Sequence, residues 1–185
     1  MKKTMLGPDA LLFPTPSVLV GAVVDGRANF MTAAWCGIAS SKPPAISVAI
    51  RGERHTLKGI LAHGEFSINV PSSDMAEQVD FCGIYSGRKE DKSKIFDLFF
   101  GDLNHAPLIA FCPVNMECRL RHTLDLGAHI LVVGEVIQTH VNESCLTDGK
   151  PDATKVDPLV YSQGTGNYQR LGEVVGKAFS IGKKK

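Results

Sequence analysis

Val114-Asn-Met-Glu-Cys-Arg-Leu-Arg121 is the stretch that decides the fold. Apolar or weakly polar side chains alternate in it with polar or charged ones, and successive side chains of a β-strand point to opposite faces of the sheet. The alternation therefore predicts a strand with one face buried and the other wet or paired. Such strands are typical of antiparallel sheets.

Further strands are predicted on both sides of this stretch. A short, continuous apolar run predicts a buried strand over residues 18–24, and alternation predicts strands over residues 46–50 and 66–70. A long β-branched run over residues 130–139 is interrupted by Gly134, where we expect a bulge or a bend.

Helices are expected to be short and few. The pattern predicts them over residues 56–62, with Thr56 near the N-cap, over residues 74–82, closed by Gly83, and over residues 92–100. Residues 142–157 are polar, carry turn residues and predict a surface loop. Because regular β-α alternation is missing, we expect one closed or nearly closed antiparallel barrel in a single domain spanning residues 1–185.

Composition excludes several classes of protein. The net charge of +1 gives no basic bias toward a nucleic-acid partner, and the terminal run Lys183-Lys184-Lys185 predicts a solvated tail. The longest apolar run, Val18–Val24, is far shorter than the ~20 residues that span a membrane. The five cysteines are scattered and odd in number, which favours reduced thiols and a cytoplasmic location.

The common catalytic and metal motifs are missing. No C-x-x-C or H-E-x-x-H occurs, so we predict no metal site. Ser86 in Gly83-Ile-Tyr-Ser-Gly87 is one residue out of step with a nucleophile elbow. The run Gly164-Thr-Gly-Asn-Tyr-Gln169 lacks the last glycine of a dinucleotide fingerprint.

A candidate anion site remains. Arg51, Arg54 and Thr56 precede a predicted helix start, where free backbone N–H groups and the helix dipole favour a phosphate. The loop over residues 86–92 contains a glycine and ends in Lys92. The alternative is that these cations are simply solvated surface residues.

Ten short segments, in order along nearly the whole chain, carry a resemblance to a known family. They are Pro14-Thr-Pro-Ser-Val-Leu-Val20, Asp25-Gly-Arg-Ala-Asn-Phe-Met-Thr-Ala-Ala-Trp35, Pro43-Pro44 before Ile46-Ser-Val-Ala-Ile50, Arg54-His-Thr56, Gly64-Glu-Phe-Ser-Ile-Asn-Val70, Asp80-Phe-Cys-Gly83, Ser86-Gly-Arg88 with Asp91-Lys92, His129-Ile-Leu-Val-Val-Gly-Glu-Val136, Pro158-Leu-Val-Tyr161 and Tyr168-Gln-Arg-Leu-Gly172.

Together these segments resemble the flavin reductase-like family with the FMN-binding split barrel, most closely its flavoredoxin branch. The resemblance implies a mainly β fold: a six-stranded antiparallel split β-barrel of Greek-key type with short helices packed around it. It also implies a homodimer with one FMN per protomer in a groove near the interface.

The resemblance also assigns roles to particular residues. Asn29, Thr32, Ala33, Ala34 and Trp35 match the segment that passes along the isoalloxazine ring, with a core position as the alternative for Trp35. A second set matches the positions that hold the phosphate: Arg54, Thr56 and Lys92, joined by Ser47, Ser86 and Gly87.

His129 matches the residue that approaches the flavin or the incoming nicotinamide, with a structural role as its alternative. Two functions follow from the resemblance. The first is an NAD(P)H-dependent flavin reductase. The second is a flavoredoxin-type electron carrier with tightly bound FMN that docks to another redox protein. A barrel that has lost flavin and serves as a dimeric scaffold is the third alternative.

Overall fold

The alternating stretch lies in a twelve-residue strand, Val114–Asp125, of the computed structural model, which describes residues 1–183. Cys118 faces the core from this strand. Asn115 and Glu117 are also buried, and both are hydrogen-bonded, whereas Arg119 is exposed. The prediction of one buried face and one wet or paired face is therefore confirmed. Lys184 and Lys185, from the predicted lysine tail, lie outside the described residues.

The described chain is mainly β. The α-helices are α1 (His55–His63), α2 (Ala76–Ile84) and α3 (Ala153–Val156), and 3-10 turns cover Ser73–Met75, Lys92–Ile95 and Glu143–Cys145. The strands are β1 (Thr15–Pro16), β2 (Val18–Val24), β3 (Arg27–Ala33), β4 (Cys36–Ser41), β5 (Pro44–Arg51), β6 (Glu65–Val70), β7 (Leu98–Phe99), β8 (Leu108–Ile109), β9 (Val114–Asp125), β10 (His129–Val141), β11 (Leu146–Thr147), β12 (Lys150–Pro151), β13 (Val160–Ser162) and β14 (Asn167–Gln169).

The main sheet is antiparallel and has seven strands in the order β3-β2-β6-β9-β10-β5-β4. Its two edge strands, β3 and β4, are joined only by Ala34 and Trp35, so the sheet must roll until its edges meet at that corner. No ladder of hydrogen bonds joins β3 to β4 in the described part of the chain. The predicted mainly β, antiparallel fold is confirmed, but the predicted number of six strands is wrong, since the main sheet has seven. Of the closed or nearly closed barrel that was expected, closure is not found in the described residues, because α2 and the turn at Lys92–Ile95 pack against β3.

The bulge expected at Gly134 is confirmed. The register of β10 against β9 shifts between Val133 and Gly134. A Cβ at position 134 would overlap the ring of Phe66, which is completely buried in the core. Only glycine therefore lets the bulge pack against the rolled sheet.

The helix predictions are confirmed in part. α1 ends at Gly64, which adopts a left-handed conformation with a φ of 65°. The helix predicted to close at Gly83 continues through it to Ile84, where the N–H of Tyr85 makes the last helical hydrogen bond, to the carbonyl of Phe81. The helix predicted over residues 92–100 is wrong. Its first half is the 3-10 turn Lys92–Ile95, and its second half is the strand β7.

The remaining segments lie outside the seven-stranded sheet. Residues 142–157, predicted as a surface loop, contain a 3-10 turn, the small hairpin β11–β12 and α3. β1, β13 and β14 form a separate three-stranded sheet.

Within residues 1–183, no helix is both long enough and apolar enough to cross a membrane.

Candidate functional site

A cavity of about 120 Å³ lies where α1 begins, between β3 and the loop that follows α2. It brings together six of the twelve predicted site residues from three distant parts of the sequence. Those six are Asn29, Arg54, Thr56, Ser86, Gly87 and Lys92, and the other lining residues are Met31, Glu53, His55 and Tyr85.

The start of α1 contributes backbone donors to this cavity. Arg54 is the N-cap residue in an extended conformation, and no side chain caps the helix. Thr56, predicted near the N-cap, lies inside the helix, and its buried hydroxyl accepts a hydrogen bond from Nδ2 of Asn29 at 2.7 Å. The first-turn N–H groups, left uncapped by any side chain, are suited to an anion.

Lys92 lies at the bottom of the cavity with 2% of its surface exposed. Its ammonium donates to the carbonyls of Phe30 at 3.0 Å and of Cys82 at 2.7 Å. Because an ammonium has three donors, these two bonds leave one for a ligand. Burial lowers the pKa of Lys92, and the nearby Arg54 lowers it further. A bound anion would counter both effects.

The loop over residues 86–92 closes the cavity through a tight contact. A Cβ at position 87 would overlap Oδ1 of Asn29, so Gly87 provides space that no other residue would leave. Arg54 donates from a guanidinium nitrogen to the carbonyl of Gly83 at 3.0 Å, which ties the start of α1 to the end of α2. These contacts hold the cationic residues in place before any ligand binds.

The donor set fits a phosphate group. Two cations, a hydroxyl and an uncapped helix N-terminus converge on a space of about 120 Å³. Charge-assisted hydrogen bonds from such groups are the usual means of holding a dianion.

A second cavity of about 310 Å³ lies at the other end of β3. Trp35 borders it with 42% of its surface exposed, which excludes the alternative of a core tryptophan. The indole Nε1 donates to Oε1 of Gln163 at 2.8 Å, and the indole lies 4.7 Å from the His129 ring, centroid to centroid. The lining is formed by Ala10, Leu12, Pro14, Thr15, Pro16, Ala34, Trp35, Cys36, Gly37, Ser47 and Gln163.

The two cavities are bordered by neighbouring parts of one segment, which runs through β3 into the corner before β4. Met31 borders the first and Ala34 the second. A strand rises ~3.3 Å per residue, so these positions are about 10 Å apart. A largely apolar cavity with a few polar groups suits a flat aromatic ring. A ligand with a ring at one end and a phosphate at the other would therefore span the two cavities.

Three predicted residues lie in places other than those expected from the sequence. Asn29, predicted beside the ring, lies with the phosphate-type donors. Ser47, grouped with the phosphate residues, borders the second cavity and donates to the carbonyl of Gly37 at 3.3 Å. The side chain of Ala33 packs in the core, because β3 turns alternate side chains inward.

The hydroxyl of Thr32 donates to the carbonyl of Val79, so its proton is not free to bind a ligand. Sequence reasoning missed His55, Tyr85 and Gln163. His55 lies inside the quoted motif between Arg54 and Thr56, where it could have been found. Gln163 lies in the loop before Tyr168, where the sequence shows no pattern that points to a site.

Comparisons with known proteins show similarity over nearly the whole chain. The family model described as "Flavin reductase like domain" matches residues 10–172. The crystal structure of flavoredoxin from Methanosarcina acetivorans has a TM-score of 0.96 at 37% identity, covering 99% of this chain and 98% of that one. Flavoredoxin of Desulfovibrio vulgaris (Miyazaki F) has a TM-score of 0.92 at 41% identity, covering 99% and 100%.

A curated relative adds a named activity to the comparison. The protein named "FMN reductase (NADH) RutF" from Agrobacterium fabrum is 25% identical over 118 residues, which cover 63% of this chain and 66% of that protein.

Proposed function

This chain belongs to the flavin reductase-like domain family, and from that premise we propose that it is an FMN-binding oxidoreductase that takes electrons from NAD(P)H. One observation carries the proposal: a cationic, phosphate-sized cavity and an aromatic-bordered cavity lie along the same strand, β3. Relatives in the family include a protein named for NADH-dependent FMN reduction.

The residues present would hold FMN from both ends. Arg54, Thr56 and Lys92 would bind the phosphate, with Ser86 and Gly87 in the loop around it. Ala34, Trp35 and Ser47 would border the ring. FMN, when bound, supplies the hydride and electron transfer that no amino-acid side chain can perform.

The side chains therefore bind, orient and shield. Trp35 covers the second cavity on one side, and its bond to Gln163 fixes the indole plane. His129, half-buried at the start of β10, lies against that indole, which borders the cavity. In this proposal His129 contacts the nicotinamide or the flavin during reduction.

A second candidate function is a flavoredoxin-type electron carrier. It is supported by the similarity to two flavoredoxins at 37% and 41% identity over nearly the whole chain. In that role FMN stays bound, and the protein exchanges electrons with another redox protein without oxidising a nicotinamide.

We also propose a homodimer in which the partner covers exposed apolar residues. Trp35, Ile38, Leu124 and Leu126 are between 42% and 84% exposed. The hairpin β9–β10 carries Leu124 on β9 and Leu126 in the turn, and Trp35 lies against His129 at the turn end of the same hairpin. A partner seated here would cover the second cavity. Light scattering should then give a mass about twice 19.9 kDa.

A cytoplasmic location completes the proposal. Cys36, Cys82, Cys112, Cys118 and Cys145 all lack a disulfide partner. Burial raises the pKa of the Cys36 thiol to about 12 and that of Cys82 to about 11, so both stay protonated near neutral pH. Such inert thiols suit a reducing compartment.

One experiment separates the two candidate functions. The FMN-loaded protein is mixed anaerobically with NADH, and in a parallel run with NADPH, while the visible flavin band is followed. Rapid bleaching supports the reductase. A band that stays oxidised with both donors, but bleaches with dithionite, contradicts the reductase and supports the carrier.

A further inference from the structure

The hairpin loop between β13 and β14 carries Gln163 to the edge of the second cavity. Gly164 and Gly166 have positive φ angles of 92° and 72°, which let the chain reverse direction there. The carbonyl of Ser162 accepts a hydrogen bond from the N–H of Gly166 at 3.0 Å and another from the hydroxyl of Thr165 at 3.3 Å. These bonds hold the loop in place, and with it the residue that borders the cavity.

The indole of Trp35 determines which way the amide of Gln163 is turned. The indole Nε1 can only donate a hydrogen bond, so the atom that it meets at 2.8 Å is the amide oxygen, Oε1. The amide nitrogen is the other branch of the same planar group, and within residues 1–183 it has no hydrogen-bond partner. Because both residues line the second cavity, a donor with two unused hydrogens is held beside it.

The other strong side-chain donors in the wall of this cavity are already used. The hydroxyls of Thr15 and Ser47 donate to backbone carbonyls at 3.2 and 3.3 Å. The indole N–H of Trp35 donates to Gln163, and the thiol of Cys36 is a weak donor. Among the described side chains that line the cavity, Gln163 is therefore the one that has a strong donor available for a ligand.

The same wall is electrically neutral. None of the described residues that line the second cavity has an ordinarily charged side chain. Burial raises the pKa of the Cys36 thiol to about 12, so this group also stays uncharged near neutral pH. In such surroundings a single neutral donor has a larger electrostatic effect than it would have in water.

We propose that Gln163 tunes the reduction potential of the flavin by donating from its amide nitrogen to a carbonyl oxygen of the bound ring. The inference rests on the proposed function, since the ring must occupy the second cavity. Reduction adds electron density to the ring, so a donor at a ring carbonyl stabilises the reduced form more than the oxidised form. Gln163 therefore raises the potential, and Trp35 positions its amide.

The midpoint potential of FMN bound to the full-length protein, measured by anaerobic redox titration, tests this. Gln163→Met keeps the length of the side chain but has no N–H. We expect it to weaken the binding of reduced relative to oxidised FMN about tenfold, or ~30 mV for a two-electron couple. Gln163→Glu keeps an acceptor for the indole and replaces the donor by a negative charge, so its potential should be lower still. Gln78→Glu, exposed on α2 and outside the cavities, is the matched control and should keep the wild-type potential.

The flavin-free protein supplies a second readout, because Trp35 is the single tryptophan of the chain. Gln163→Met should shift its fluorescence emission, since the indole N–H loses its acceptor, whereas Gln163→Glu should leave the emission unchanged. An unchanged potential in Gln163→Met overturns the inference. A potential lowered in Gln163→Met but unchanged in Gln163→Glu also overturns it, because the effect would then come from the indole contact and not from the amide donor.

These outcomes are distinct from a failure of the proposed function. The potential is measured without a nicotinamide, so the test applies equally to the reductase and to the carrier, and either negative result leaves FMN binding intact. Failure of the wild type to bind FMN at all overturns the proposed function, and the role of Gln163 with it.

Discussion

The side-chain oxygen of Asn29 lies directly against the Cα of Gly87, while its amide nitrogen donates to Thr56 at 2.7 Å. One buried side chain on β3 thus touches both the start of α1 and the loop after α2. These are the segments that supply the phosphate-type donors. The distance between the start of α1 and the loop after α2, which sets the width of the cavity, depends on this contact. Neither Asn29 nor Gly87 carries a charge.

Gly87→Ala should disturb the site, because a Cβ there would overlap Oδ1 of Asn29. Overpacking of this kind costs ~1–3 kcal/mol, so we expect FMN affinity to fall about tenfold to a hundredfold, at ~1.4 kcal/mol per decade. Fluorescence titration measures the change. Gly52→Ala is the control, since a Cβ at position 52 meets nothing within 4 Å. Equal affinities for both variants would show that the contact is unimportant.

Lys92→Ala should weaken FMN binding and also destabilise the apo-protein. A charge-assisted bond to the phosphate contributes ~1.5–3 kcal/mol, which corresponds to about tenfold to a hundredfold in the dissociation constant. The carbonyls of Phe30 and Cys82 also lose their donor. Lys94→Ala, at a side chain 78% exposed, should leave binding and melting temperature nearly unchanged. An unaltered dissociation constant for Lys92→Ala would place the phosphate elsewhere.

The protonation of His55 should depend on the ligand. Its pKa lies below 6.5 because burial and Arg88 disfavour the charged form. Because the unfolded chain binds this proton more tightly than the fold does, stability is highest above pH 6.5 and falls as the pH drops from 6.5 through the lowered pKa. A bound phosphate favours the charged form and should raise the pKa. NMR titration, with His55→Gln to assign the signal, checks both statements. A ligand-free pKa above 6.5 would contradict the first.

His129→Ala should slow reduction by a nicotinamide more than it weakens FMN binding, because its ring lies against Trp35, which borders the second cavity. We expect the FMN dissociation constant to stay within about threefold, or less than ~0.7 kcal/mol. Stopped-flow bleaching of the flavin band measures the reduction step. His122→Ala, exposed on the same hairpin, is the control. If the wild type bleaches rapidly and both variants match it, His129 has no role in the reduction.

Periodicity predicted the strands well where burial follows a simple pattern. β2, β5, β6, β9 and β10 all contain their predicted residues, because alternation and apolar runs report which faces are buried. Periodicity could not predict the closure of the sheet, which depends on what packs against β3. Lys92 is a polar residue that is buried through backbone carbonyls, and no local pattern distinguishes it from a solvated lysine.

The sequence predicted which residues form the candidate site more reliably than it predicted which end of the site each residue borders. Arg54, Thr56, Gly87 and Lys92 share one cavity as expected, since each belongs to a quoted segment. Asn29 and Ser47 exchanged ends of the site, because the direction of a side chain depends on the register of β3 and β5 in the rolled sheet. Gln163 contributes to the site from a loop whose sequence carries no signal.

The central claim is that this chain binds FMN, and the visible spectrum of the protein after incubation with FMN and removal of free flavin tests it most directly. We predict a yellow protein with about one flavin per chain, which releases FMN on denaturation. A protein that stays colourless after reconstitution, although its circular dichroism shows a folded β structure, would contradict the account.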